Sequence, residues 1–356
     1  MWRNPEDSAS RLVTMNLLCT VIILLLSAIL PVSCTTTITK SDKRSPKSSV
    51  KRATNYDIYT AGSSIDVAPT PRGGLILVGG GSGGDPALAW FVRQAGYGDI
   101  VIIRASGADA YNQPLINMGA NTVTSIVIKS REAAQDSELL SKIKKAEGIF
   151  FAGGDQSNYA NFLTGSPLAL AINKAAERGV PIGGSSAGLA ILGEFYFPAY
   201  KDTVTSDQTL ADPYDHRVVL EKNLLRLPHL DNLITDSHFR NRDRMGRLVT
   251  FMARILTDKW ANHVRGVGLD ENVAIAIETD GSAQVFSDSG HAYLLEAISK
   301  PDLCAKLLPL TFNSVTVRKL PANTKFNFSN WSKIPAKTYS LSVVSGKIIP
   351  SDGTVY

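Results

Sequence analysis

Short apolar runs, recurring through the first two thirds of the chain, limit what it can fold into. Leu75-Ile76-Leu77-Val78, Ile100-Val101-Ile102-Ile103, Ser125-Ile126-Val127-Ile128, Ile149-Phe150-Phe151, Val180-Pro181-Ile182 and Leu233-Ile234-Thr235 are too brief for helices. They do not alternate polar and apolar, so each must be covered on both faces. A parallel sheet packed between helices provides that cover. The stretches 86–94, 131–145, 168–178 and 244–256 carry helical periodicity and supply the outer layers. Beyond Gly266 the pattern becomes antiparallel. Val273 to Glu278, the turn Thr279-Asp280-Gly281 and Ala283 to Phe286 read as a hairpin, and His291 to Leu295 as a further strand. The expected class is α/β: a three-layer α/β/α sandwich on a mostly parallel central sheet, with a C-terminal antiparallel β extension.

The N-terminal part reads differently. Arg3 and Arg11 precede an apolar run from Leu17 to Leu30, and Pro31-Val32-Ser33-Cys34 suits a signal-peptidase site. Residues 1–34 are therefore expected to be a signal peptide or a membrane anchor, and the protein to be secreted or held at a membrane by residues 15–33. Residues 35–56 are rich in Ser, Thr and Lys and read as a basic flexible linker or propeptide, with Lys43-Arg44 and Lys51-Arg52 as dibasic sites. The expected catalytic domain spans 57–300, and 301–356 form the β-rich extension.

The net charge of +5 is local. Lys40, Lys43, Arg44, Lys47, Lys51 and Arg52 against Asp42 already give it, so the folded body offers no phosphate-reading surface and nucleic acid is not an expected partner. Cys19 and Cys34 fall in the targeting segment and leave Cys304 alone in the body. That excludes a disulfide within the mature chain and a cysteine metal site. Asn327-Phe328-Ser329 and Asn330-Trp331-Ser332 are glycosylation sequons that agree with export.

Gly184-Ser185-Ser186-Ala187-Gly188 matches the strand-to-helix elbow G-x-S-x-G, which exposes a serine oxygen. Ser186 is the expected nucleophile, and the N–H of Ala187 is aimed at the developing oxyanion. Of the five histidines, His238 follows the apolar run Leu233-Ile234-Thr235. Catalytic groups gather beyond the carboxyl ends of parallel strands, so His238 is expected on the same sheet edge as Ser186. Glu271, after Val267-Gly268-Leu269, is one candidate for the acid that orients the imidazole, and Asp236 is the competitor. The order Ser, His, acid differs from that of the α/β-hydrolases.

Taken in order, Phe151-Ala152-Gly153-Gly154-Asp155-Gln156, Gly183 to Gly188, Asp236 to Leu248 and Gly266 to Glu271 resemble the cyanophycinase branch of the S51 serine peptidases. The resemblance covers roughly Gly73 to Glu296. It implies a class I glutamine-amidotransferase-like (flavodoxin-like) fold, with Ser186 as nucleophile, His238 as base and Glu271 as orienting acid. It also implies hydrolysis of peptide or β-aspartyl bonds through an acyl-enzyme, in exopeptidase fashion. Gly153 and Gly154 would join Ala187 around the oxyanion. Gln156, Asp155, Asp236 and Ser237 would contact substrate, and Arg242, Arg244 and Arg247 would fork onto its carboxylates. The family carries a glutamine where this chain has Ser237. The change leaves the hydrolytic groups in place and bears on whether cyanophycin is the substrate.

Two other readings compete. Gly79-Gly80-Gly81-Ser82-Gly83-Gly84 satisfies the dinucleotide fingerprint G-x-G-x-x-G, and Arg104 at the end of the next run would suit NADP. A binding protein on a hydrolase scaffold is the second. The preferred reading expects no cofactor and no metal, and gives the glycines the task of letting backbone approach the substrate. Its partner is a peptide or β-aspartyl peptide, with a membrane involved only if residues 1–34 stay attached. A homodimer is compatible with the sequence.

Overall fold

Five of the six apolar runs become strands and the sixth, Val180 to Ile182, gives only the first residue of one, and the strands divide between two sheets. The computed structural model describes residues 48–81 and 84–356. The targeting segment 1–34, the linker up to residue 47 and Ser82-Gly83 of the glycine loop lie outside the described residues. In a ten-stranded sheet, five parallel strands stand in the order Thr122–Ile128, Asp99–Arg104, Gly148–Phe151, Ile182–Ser185, Leu75–Val78. Antiparallel strands extend both sides. Tyr56–Gly62 and Ser49–Arg52 lie at one edge, and Val273–Ile277, Ser282–Ser287 and Lys325–Asn327 at the other.

Alternate side chains of one strand explain the layering. Ile76 and Val78 pack with Ile100, Ile102 and Phe150 against Ala87, Trp90 and Phe91 of the helix Asp85–Gln94. Leu75 and Leu77 pack on the other face with Val101, Ile103 and Phe151. That face is covered by Leu139 and Ile143 of the helix Ser137–Lys145 and by Ile172 of Pro167–Glu177. Both faces are thus apolar because both are covered, as the unalternated runs require.

The second sheet has eight strands in the order Lys347–Pro350, Lys337–Val344, Phe312–Leu320, Ala292–Ala297, Val264–Leu269, Leu233–Asp236, Phe195–Tyr196, Glu221–Lys222. Leu233–Asp236 pairs in parallel with both of its neighbours, and the other pairings are antiparallel. The helix Met245–Thr257 buries Leu248, Val249, Phe251, Met252 and Ile255 among Ile234, Tyr293, Leu295, Val315 and Leu341.

Three expectations change. Leu233 to Asp236 does not continue the sheet that carries Ser186, because an apolar run specifies a strand and not the sheet it joins. Residues 301–356 are not an appendage to a 57–300 domain. They contribute three strands to the second sheet and, through Lys325–Asn327, one to the first. Within the expected linker, Ser49–Arg52 is an edge strand paired with Asp57 to Thr60, and Lys51 forms an ion pair with Glu138. All four of its residues are exposed, so backbone pairing rather than apolar burial holds it.

The sheets meet where the chain leaves Val264–Leu269 and enters Val273–Ile277. Here the N–H of Gly79 donates to Val273 O (2.9 Å), that of Asn272 to Gly80 O (3.0 Å) and that of His238 to Gly79 O (2.7 Å). Among the described residues no helix is long and apolar enough to cross a membrane.

Candidate active site

Strand Ile182–Ser185 ends between Gly148–Phe151 and Leu75–Val78, and the chain must turn at once to start the helical turn Ala187–Ala190. Ser186 makes that turn with φ 56° and ψ −115°, a left-handed backbone rare outside glycine. Its own N–H is spent on Val78 O (3.1 Å). Gly188 is required by contact. A Cβ there would collide with the carbonyl oxygen of Phe151, so any side chain would lift the helical turn off the neighbouring strand. The motif G-x-S-x-G is therefore met in the strand–turn–helix setting that gives it meaning.

The candidate base and acid come from the second sheet. Ser186 Oγ lies 2.6 Å from His238 Nε2, and His238 Nδ1 lies 2.6 Å from Glu271 Oε1. With Nδ1–H donating to Glu271, Nε2 is left as the acceptor for the serine hydroxyl. The side chain of His238 is 12% exposed and that of Glu271 40%. Burial pushes the His238 pKa below its ordinary value. Glu271 opposes this through its hydrogen bond, while Arg242 and Arg244 add to the depression. The imidazole is thus neutral near pH 7, as a proton acceptor must be.

Asp236 is not the acid. It is buried and held by Arg247 through a fork, Nε to Oδ2 at 2.7 Å and Nη2 to Oδ1 at 2.6 Å. Arg244 Nη1 adds a third bond to Oδ1 at 3.2 Å. Burial raises the Asp236 pKa, but the two arginines outweigh it and hold the carboxyl below the usual range. Asp236 and Ser237, expected to touch substrate, instead serve the arginines. Ser237 is buried, and its carbonyl and hydroxyl oxygens both accept from Arg244 Nη1 (2.8 and 3.3 Å). Arg247 has no fork left for a ligand, since Nη1 is bound to Thr203 Oγ1 (3.0 Å) and Val204 O (3.3 Å).

Arg242 is exposed, and Arg244 has no partner for Nε or Nη2 among the described residues. Both line a cavity of about 650 Å³ together with Gly154, Asp155, Gln156, Tyr200 and Asp202. This cavity shares with the triad the Gly153-Gly154 loop and the turn from His238 to Arg242. Gln156 Nε2 donates to Phe197 O (2.7 Å), which leaves its Oε1 for a ligand. Asp155 caps the helix Gln156–Leu163 by accepting from Ser157 N–H (2.8 Å). The N–H groups of Gly153, Gly154 and Ala187 have no partner among the described residues, and Gly153 sits against Ser186. Gly153 and Ala187 thus leave backbone donors free beside Ser186.

Within the glycine loop, Gly80, at φ +152°, lies on the imidazole of His238, and a Cβ would stand 2.5 Å from Cε1. Its backbone thus packs against the candidate base. The dinucleotide reading fails on topology. It needs the first two strands side by side, whereas Leu75–Val78 and Asp99–Arg104 are separated by two strands. Sequence reasoning missed Tyr200, Asp202 and Thr203, which carry no motif. Only the capping box of Thr205 with Gln208 marks where that segment ends.

Comparison with known proteins places this geometry. The model of peptidase family S51 matches residues 108–285, half of the 356-residue chain. A cyanophycinase from Trichormus variabilis is 28% identical over 225 residues, covering 62% of this chain and 70% of its own. A cyanophycinase from Synechococcus elongatus is 30% identical over 225 residues, 60% of this chain and 65% of its own. Among solved structures, a peptidase from an acI-B1 Actinobacterium superposes with a TM-score of 0.50 at 18% identity, covering 72% of this chain and 98% of its own.

Proposed function

The chain belongs to peptidase family S51, and on that premise we propose that it is a serine-type exopeptidase acting on β-aspartyl and related peptide bonds through an acyl-enzyme on Ser186. The observation that carries the proposal is the unbroken relay from Ser186 Oγ to His238 Nε2 and from Nδ1 to Glu271, each step 2.6 Å.

Ser186 Oγ attacks the scissile carbonyl carbon as its proton passes to His238 Nε2. Glu271 stabilises the imidazolium, and the N–H groups of Ala187 and Gly153 hold the oxyanion, each donor lowering the barrier by about 3 kcal/mol. The C–N bond breaks as His238 returns the proton to the leaving amine. Water then repeats the sequence on the ester. Arg242 and the two unpartnered nitrogens of Arg244 suit a substrate carboxylate beside the scissile bond, which a β-aspartyl linkage supplies. The relatives are named cyanophycinases, and their polymer is one candidate substrate. Export belongs to the same proposal, supported by residues 1–34 and by the exposure of both Asn327 and Asn330.

The test is a hydrolysis panel of β-aspartyl-arginine and β-aspartyl-lysine polymers, isoaspartyl dipeptides and ordinary aspartyl peptides, run on wild type and Ser186→Ala. Cleavage that disappears in the variant supports the reading. Activity that survives the substitution overturns it.

A further inference from the structure

Residues beyond the stretch matched by the family model reach back to the turn that carries the base. The match ends at residue 285, yet Tyr356 packs on the segment 238–245. Its hydroxyl donates to Asp243 Oδ1 (2.8 Å) and accepts from the N–H of Met245 (2.9 Å), the first residue of the helix Met245–Thr257. Its ring meets Phe239 edge-on, with centroids 6.0 Å apart, and meets Tyr293 at 5.7 Å. The segment holding Tyr356 is itself fixed, because Tyr339 of the strand Lys337–Val344 donates its hydroxyl to Val355 O (2.6 Å).

The turn so gripped is held by other bonds as well, among them those from the N–H of Arg240 to Asp270 Oδ1 (2.9 Å) and from the N–H of Arg244 to Phe239 O (2.9 Å). His238 (φ 46°) and Asp243 (φ 46°) are both left-handed, a conformation that non-glycine residues hold only when their surroundings enforce it. Between them the N–H of Arg242 donates to His238 O (3.0 Å) and that of Asp243 to Arg240 O (3.1 Å). Asp243 O accepts from Ser206 Oγ, so the far end of the turn is pinned from two sides. Phe239, which Tyr356 meets edge-on, is the residue after the base, and its N–H is tied to Leu269 O (3.0 Å) at the strand leading to Glu271. A phenol that contacts both Phe239 and Asp243 brackets Arg240, Asn241 and Arg242 and grips the residue next to His238.

We propose that Tyr356 is a positioning residue of this active site, holding the turn His238–Arg244 so that the imidazole stays aligned between Ser186 and Glu271. The proposal rests on Ser186 and His238 acting as nucleophile and base. It makes the C-terminal strands a working part of the catalytic apparatus, supplied by this chain outside the segment matched by the family model.

The experiment uses the full chain, wild type, Tyr356→Phe and Asp243→Asn, with Ser186→Ala as control. One readout is the rate at which a fluorophosphonate probe labels Ser186, a reaction that needs the base but no knowledge of the substrate. The other is the downfield NMR resonance of the proton shared by His238 Nδ1 and Glu271. Tyr356→Phe keeps the ring packing and removes only the hydroxyl. It should slow labelling about ten- to a hundredfold, the scale of small misplacements, broaden the His238 proton and leave the thermal midpoint nearly unchanged. Asp243→Asn keeps an acceptor for the phenol and should retain most of the rate. Labelling and NMR signal equal to wild type in Tyr356→Phe overturn the proposal. If wild type itself is not labelled, the serine-nucleophile reading has failed instead. The NMR signal still decides the positioning role: an unchanged His238 resonance in Tyr356→Phe overturns it. Should Tyr356→Phe not fold, Asp243→Gly, which removes the acceptor and suits the left-handed backbone, is read by the same two measures.

Discussion

The two sheets contribute unlike halves of one site. The ten-stranded sheet gives the proposed nucleophile and oxyanion donors from tight turns at the ends of parallel strands, where backbone geometry does most of the work. The eight-stranded sheet gives the proposed base and acid and the arginines, held by side-chain bonds and buried charge. Ser186 is fixed by glycine contacts and by one hydrogen bond to Val78 O. His238 is fixed by Glu271, by Gly80 lying on its ring, and by a turn that the Asp236–Arg244–Arg247 network anchors. The proposed catalysis depends on registering groups from two sheets, not on one preformed loop.

The sharpest way to break that registration is to remove a member from each side. Ser186→Ala and His238→Ala should each lower kcat by about 10⁶-fold, and the double variant should lose little more, because the groups act as a unit. Additive losses in single-turnover assays would show that the halves work separately. Next in size, Asp236→Asn leaves two buried guanidiniums short of their counter-charge. It should destabilise the fold by about 3–5 kcal/mol, read from urea unfolding. The same carboxyl sets an acid limit. Its folded pKa lies below the unfolded value, so its stabilisation is complete above the unfolded value, about pH 3.9. It is lost as pH falls through the depressed folded value. Tm measured downward from pH 6 should hold until that range, and Asp236→Asn should flatten the fall.

Smaller still, Gly80→Ala tests the junction without touching either half's chemistry. A Cβ 2.5 Å from the imidazole must push the ring aside, so kcat should drop by about a hundredfold while unfolding changes much less. The mildest test concerns charge. Because burial and the nearby arginines depress the His238 pKa, the acid limb of kcat/KM should lie below the ordinary histidine value. Arg242→Gln removes one depressing charge, so the limb should move to higher pH. A limb that stays put would mean the arginines do not act on the base.

The same contrast governs how much could be read in advance. Leu75–Val78 was legible to the residue, since an unalternated aliphatic run between glycines has few other uses. The next strand to the nucleophile was read too early, at Val180 to Ile182, because Gly183-Gly184-Ser185 has no strand propensity and is held by its neighbours in register. Ser186, His238 and Glu271 were named from local motifs and from resemblance, and the structure brings them together. Their partition between sheets was hidden, because pairing is a long-range property. Hidden too was the engagement of Arg247 by Asp236, since two charges eleven residues apart do not announce that they meet. The strand Ser49–Arg52 was illegible, and the β-rich character of 301–356 did not say which sheet each of its strands joins, for a similar reason. Exposed or half-buried segments carry little apolar signal, and what places them is the edge they join.

The apolar core shared by both sheets has a consequence for how this molecule should fail. Leu233, Val267, Leu269 and Leu294 of the second sheet pack in one cluster with Leu75, Leu77 and Phe151 of the first. Parting the sheets would expose that core to water, so they should melt as one unit. In denaturant, activity and circular dichroism should be lost together, with coincident midpoints.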